Sequence, residues 1–199
     1  MSLSLERISC SFGPTLALAP LTLRMAPGTV CLVTGANGSG KTSLLRVAAG
    51  VTSPTTGRRR APGPAVYLRP GDGARAFQTP RQAIRFVGGL RGGPGSVEEV
   101  LAMLGLTDIA DRRVRELSAG QRARVTLAVA LVCRPALACL DEPTAHLDSE
   151  GSVLAGEVLS RLAGDGAAVL VATHDDGVLG KVADSRVHLR DGFLQAAPW

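Results

Sequence analysis

Gly35-Ala36-Asn37-Gly38-Ser39-Gly40-Lys41-Thr42 is the stretch that decides the fold. It fits GxxxxGK[ST], a pattern whose glycines let the backbone curl until successive N–H groups face inward on a phosphate. The pattern carries meaning only between a strand and a helix, and both flanks comply. Thr29 to Thr34 (TVCLVT) is a short, nearly continuous apolar run, as a strand buried on both faces requires. Lys41 to Ala49 reads as a helix closed by Gly50. The helix start adds partial positive charge, Lys41 reaches the outer phosphates as a point charge, and Thr42 offers a hydroxyl to Mg²⁺. The competing reading is a plain glycine-rich turn in a chain of 24 glycines. That reading leaves unexplained why one of only two lysines, against twenty arginines, stands where the pattern demands lysine.

Working outward, Leu3, Leu5 and Ile8, then Leu21, Leu23 and Met25, alternate in the manner of strands, punctuated by Pro20 and Pro27-Gly28. Ala136 to Leu140 is a second buried-strand run, ending at Asp141-Glu142, and Ala167 to Thr173 a third, ending at His174. Strand, polar residue, then helix is the rhythm of a parallel α/β sheet, whose ligands sit at the carboxyl ends of its strands. The middle of the chain differs. Beyond a short strand at Ala65 to Leu68, helical patterns cover Pro80 to Gly88 and Ser96 to Leu104, with Ser96 placed as a cap and Glu98 and Glu99 in the first turn. Arg186 to Leu189 and Phe193 to Gln195 frame a hairpin turning at Asp191-Gly192.

Composition sets the outer limits. The chain has 199 residues, 45% hydrophobic and 20% charged, and so has material for a sizeable core; disorder as the main state is excluded. No uninterrupted apolar stretch approaches the length of a membrane span, and the longest candidate, Val125 to Cys133, lies between Arg124 and Arg134. Met1 to Glu6 has neither a basic start nor an apolar region, so export is not expected. Cys10, Cys31, Cys133 and Cys139 show no CxxC spacing and read as buried thiols. A net charge of +5 is compatible with several anionic partners and selects none.

Two further motifs carry chemistry. Asp141 can hold Mg²⁺, and Glu142 can orient or deprotonate an attacking water. Leu117-Ser118-Ala119-Gly120-Gln121 opens a helix running to about Cys133. Ser118 suits an N-cap, yet small and polar residues at an exposed helix start also make a second phosphate site. The helix and strand that separate it from Asp141 put this site on a different face from Lys41.

With LSAGQ upstream of the Asp141 strand and GANGSGKT before both, the chain resembles the nucleotide-binding domain of ATP-binding cassette (ABC) proteins over nearly its whole length. The resemblance implies an α/β P-loop NTPase core with a mostly parallel sheet, an N-terminal antiparallel β portion and a small inserted helical subdomain. As one domain over residues 1–199, the core takes about 1–70 and 134–199 and the helical part about 71–133. The nucleotide-binding residues implied are Gly35, Ala36, Asn37, Gly38, Ser39, Gly40, Lys41, Thr42 and Ser43, with Thr42 and Asp141 on Mg²⁺. Ser11-Phe12-Gly13 resembles the adenine-stacking segment, so Phe12 stacks on the base. Ala145-His146-Leu147-Asp148 resembles the D-loop, with Asp148 its acid. Glu142 and His174 are the catalytic pair implied, His174 as the switch histidine.

The family also implies partners. A second ABC ATPase domain, in a homodimer or heterodimer, sandwiches two ATP molecules, each held by one chain's Gly35 to Thr42 and the other's Ser118, Ala119, Gly120 and Gln121. Transmembrane permease subunits receive the closing motion, which places the chain in the cytoplasm against the inner face of the cell membrane. Short length and the Ser-Ala-Gly-Gln signature are similar to the haem-exporter ATPase subunits of cytochrome c maturation. One departure concerns catalysis: family members carry a Gln after the strand read at Ala65 to Leu68, where this chain has Arg69-Pro70, and Gln78 serves only if the intervening loop is rearranged. Soluble ABC ATPases acting on nucleic acid or ribosomes are the alternative. They carry two cassettes or long coiled-coil insertions, and nothing here has heptads. The Arg58-Arg59-Arg60 and Arg112-Arg113-Arg115 clusters read as solvated surface, and with aromatics at 3% no nucleic-acid partner is expected.

Overall fold

The run before the glycine loop forms β3 (Val30–Thr34), and its side chains alternate between two separate cores. Val30 and Leu32 face one, Cys31 and Val33 the other. The computed structural model describes residues 2–90, 97–174 and 177–196. β3 lies inside a sheet whose strands run β5 (Ala65–Leu68), β6 (Leu137–Asp141), β7 (Ala168–Ala172), β3, β8 (Ser185–Arg190) and β9 (Phe193–Ala196). Every neighbouring pair is parallel except β8 with β9. Both faces of β6 and β7 are buried, which explains their near-continuous apolar sequence.

One core is closed by α1 (Lys41–Ala49) and an antiparallel sheet ordered β2 (Thr15–Met25), β1 (Leu3–Phe12) and β4 (Thr56–Arg60). Pro20 is tolerated within β2 because that strand is at the sheet's edge. The other core takes Ile84 of α2 (Pro80–Leu90), Leu101 of α3 (Val97–Met103), one face of α4 (Ala119–Cys133) from Val125 to Val132, and Val158 and Leu159 of α5 (Ser149–Gly164). Each fully buried Leu or Val adds about 1.5–3 kcal/mol, so the ends of β3 and β6 are held in register by apolar contacts on two sides. Those two ends carry the glycine loop and Asp141-Glu142.

The expected α/β architecture, mostly parallel sheet, N-terminal antiparallel portion and inserted helices are all present. The tail hairpin turns at Asp191 and Gly192, both at positive φ (50° and 81°). The four cysteines are buried thiols. Among the described residues no helix is long and apolar enough to cross a membrane. The reading of Ser96 as a cap lies outside the described residues.

Two elements lie beyond the sequence reading. Arg58-Arg59-Arg60 keeps Arg58 and Arg60 exposed, as expected of solvated surface, and also belongs to β4, pairing with Glu6, Leu5 and Ser4 of β1. The open backbone edge of β1 recruits it, and backbone pairing leaves no apolar pattern to read. α5 had not been assigned; Asp148 caps it, accepting from Gly151 N–H at 2.7 Å. β4 also reaches α1, where Arg59 Nε donates to Ala48 O at 2.7 Å, a cation at a helix C-terminus. Arg59→Ala is expected to cost about 1–2 kcal/mol and to lower Tm by about 2–8 °C in thermal unfolding.

Candidate functional site

The loop between β3 and α1 is shaped by what surrounds it. Gly35 sits at φ 144° and Gly40 at φ 104°. A Cβ at Gly35 would lie 2.2 Å from Leu189 O, and one at Gly40 would lie 2.6 Å from Ala17 O. Strands β8 and β2 therefore press on the loop from two directions, and only glycine fits at those two positions. The first turn of α1 has no side-chain cap and no acidic residue, so its N–H groups stay available to an outside anion. Ser39 Oγ is buried and lacks a hydrogen-bond partner.

Lys41 is almost enclosed, its side chain 7% exposed. Its Nζ donates to Gly35 O at 2.7 Å and to Ala36 O at 3.3 Å, and lies 3.8 Å from Glu142 Oε1. Thr42 Oγ1 donates to Asp141 Oδ2 at 2.8 Å, which joins the first turn of α1 to the end of β6. Tyr67 Oη donates to the same oxygen, also at 2.8 Å. Burial, then the hydrogen bond and charge of Asp141, raise the Tyr67 phenol above its ordinary value and keep it protonated as the donor. Glu142 follows at φ 52°, an uncommon backbone conformation for a residue with a side chain, pinned by Glu142 N–H on Ala172 O at 2.9 Å. Its Oε2 lies 2.8 Å from His174 Nδ1 and accepts from His174 N–H at 3.3 Å.

Asp141 and Glu142 line one cleft of about 420 Å³, together with Ala36 to Ser43, Thr15 to Ala17, Arg69 and Pro70; Tyr67 and His174 stand behind this lining. Lys41, Thr42, Asp141 and Glu142 are thus together, with His174 hydrogen-bonded to Glu142. Phe12 is 51% exposed in the β1–β2 hairpin and is not part of the lining; Thr15, Leu16 and Ala17 of the same hairpin are. Sequence reasoning missed Tyr67, whose only signal was its place on the strand beside the one that ends in Asp141. Gln78 does not reach the cleft, since its Oε1 accepts from Arg75 N–H at 2.8 Å within its own turn. Arg69 and Pro70 hold the wall instead.

Ser118, Ala119, Gly120 and Gln121 line a second cleft, of about 650 Å³, which shares no residue with the first. Ser118 Oγ accepts from Gln121 N–H at 3.1 Å while Gln121 Oε1 accepts from Ser118 N–H at 2.9 Å, a reciprocal capping box. Ser118 and Gln121 therefore have a structural role irrespective of any ligand, and the N–H groups of Ala119 and Gly120 precede the first intrahelical bonds. Gly120 packs on the 145–148 segment so closely that a Cβ would lie 2.8 Å from His146 O. Asp148, besides capping α5, lies 3.6 Å from Arg124 across the same cleft.

Comparison with known proteins gives the family. Residues 18–145 match the ABC transporter family. The chain is 35% identical to the cytochrome c biogenesis ATP-binding export protein CcmA of Cereibacter sphaeroides, covering 88% of this chain and 84% of that protein. It is 34% identical to the aliphatic sulfonates import ATP-binding protein SsuB of Rhodopseudomonas palustris, over 98% of this chain and 73% of that one. Among solved structures, the dimeric post-hydrolysis ATP-binding cassette MJ0796 bound to ADP and Pi superposes with a TM-score of 0.85 at 22% identity, covering 99% of both chains, which establishes the fold. With more than half of its length matched to the family and a relative at this identity, the chain belongs to the ABC transporter family, among its ATP-binding ATPase chains.

Proposed function

We propose that this chain binds ATP and Mg²⁺ in the cleft at Gly35 to Ser43, hydrolyses the ATP in a dimer, and drives transport through separate membrane subunits. The observation that carries the reading is the convergence of Lys41, Thr42, Asp141 and Glu142 on a loop that offers an anion free helix N–H groups, a cation and hydroxyls. The fit is physical. Ser39 Oγ is buried without a partner, and the glycine cradle has no room for side chains at Gly35 or Gly40. Thr42 and Asp141 are hard oxygen donors suited to Mg²⁺, which needs few protein ligands when phosphates and water complete its shell. Mg²⁺ so held would neutralise charge on the outer phosphates.

The chain's own groups do the rest. Lys41 turns from the Gly35 and Ala36 carbonyls to the phosphates. Glu142, oriented by His174, takes the proton of an attacking water. Residues 71–133 carry the Ser118 tip to the nucleotide of a second copy or a related chain, with Asp148 beside it. The separation of the two clefts supports this: a tip that cannot serve its own nucleotide is free for a partner's. Anionic phosphate between two positive helix starts favours the closed pair, and its loss after hydrolysis releases them, a population shift passed to the permease subunits at the inner face of the membrane. Phe12 stacks on the base from the hairpin once nucleotide is bound. For the substrate, the chain accounts for more of CcmA (84%) than of the sulfonate importer (73%), which supports a haem-exporter role in cytochrome c biogenesis.

Lys41→Ala is expected to weaken ATP binding by at least about ten-fold in a calorimetric titration, the loss of a charge-assisted contact worth about 1.5–3 kcal/mol; unchanged affinity would remove the loop from the phosphate site. Glu142→Gln is expected to keep ATP binding, slow turnover by about 10²-fold or more, and elute as an ATP-dependent dimer in size-exclusion chromatography. Only monomer at high protein concentration would contradict the paired arrangement.

A further inference from the structure

Asp141 Oδ2 receives two hydroxyl donors, and only one belongs to the phosphate loop. Thr42 Oγ1 and Tyr67 Oη each lie 2.8 Å from it, on a carboxylate that is 5% exposed. Tyr67 comes from β5, where it pairs with Cys139, two residues before Asp141 on β6, so the phenol spans from one strand to the end of the next. The segment that follows β5 is fastened at its other end to the helix behind Ser118: Gly71 N–H donates to Thr126 Oγ1 at 2.9 Å, and that hydroxyl lies 2.8 Å from Asp72 O. Between these two anchors, Arg69 and Pro70 wall the cleft. A continuous set of contacts thus runs from the Asp141 carboxylate through β5 to α4.

We propose that Tyr67 is a positioning residue for the Mg²⁺ site: its hydroxyl fixes the plane of the Asp141 carboxylate and ties it to the segment leading to α4. The proposal rests on the Mg²⁺-ATP reading above. Facing the metal, Thr42 would give it an oxygen lone pair while its O–H still donates to Asp141, so that one hydroxyl serves two partners. Tyr67 has no such second duty. It also supplies the link between this segment and the metal side of the cleft that a glutamine after β5 would otherwise make, and Gln78 is engaged elsewhere. A phenol merely needing a partner for a half-buried hydroxyl would leave metal affinity untouched, and that difference can be measured.

Tyr67 is the only tyrosine in the chain, so tyrosine labelled with ¹³C at the ζ carbon alone gives a single NMR signal. That signal is expected to move when Mg²⁺ is added to protein already saturated with ATP in EDTA. Tyr67→Phe is expected to raise the Mg²⁺ concentration needed for half-maximal tightening of ATP binding about ten-fold, the size of one hydrogen bond to a charged group, while ATP affinity in EDTA stays at the wild-type value. A stationary tyrosine signal, or a Tyr67→Phe chain with wild-type Mg²⁺ dependence, would overturn the proposal, and the NMR arm stands even if the variant folds poorly. A wild-type chain whose ATP affinity ignores Mg²⁺ would overturn the metal reading itself, and this one with it.

Discussion

An enclosed ammonium is the constraint around which this structure is arranged. Lys41 Nζ is held by two backbone carbonyls and, among the described residues, is ion-paired only at 3.8 Å, with Glu142. Carbonyl oxygens only partly offset the cost of taking a cation out of water. The uncapped start of α1 adds more positive character in the same place. A loop of this kind is suited to an anion. The rest of the molecule holds it open: β8 and β2 press on Gly35 and Gly40, and the two cores clamp β3 and β6, so Thr42 and Asp141 meet at 2.8 Å without adjustment.

The two helix starts show how the same local chemistry is put to different uses. Ser118 and Gln121 satisfy each other, so α4 is stable whether or not a ligand comes. α1 has no such self-sufficiency. One tip is left open to an anion and the other satisfies itself, in keeping with the proposed site shared between chains. The 145–148 segment couples to the second tip by touch: His146 O blocks any side chain at Gly120, and Asp148 faces Arg124. Asp148 therefore has work as a helix cap before any role toward a neighbouring nucleotide is considered.

What could be read from the sequence was whatever side chains encode locally. The buried strands announced themselves as apolar runs, the glycine loop through its fixed spacing, α1 by Gly50 and α4 by Ser118. What could not be read depended on partners distant in the chain. β4 exists because β1 offers an open edge, and an arginine run gives no sign of that. The role of Tyr67 follows from the register of β5 on β6, and no motif marks it. Gln78, expected to serve only if the intervening loop were rearranged, is taken up by its own turn. Phe12 belongs to the same hairpin, whose residues lining the cleft are Thr15, Leu16 and Ala17.

The central claim is that each nucleotide is gripped by the Gly35 loop of one chain and the Ser118 tip of another. Mixing two individually inactive chains tests it most directly, one carrying Lys41→Ala and the other Ser118→Arg. In a mixed pair, one site combines an intact loop with an intact tip, so ATP hydrolysis should reappear on mixing, well above the sum of the separate chains. A mixture no more active than that sum, with mixed pairs shown to form, would contradict the account.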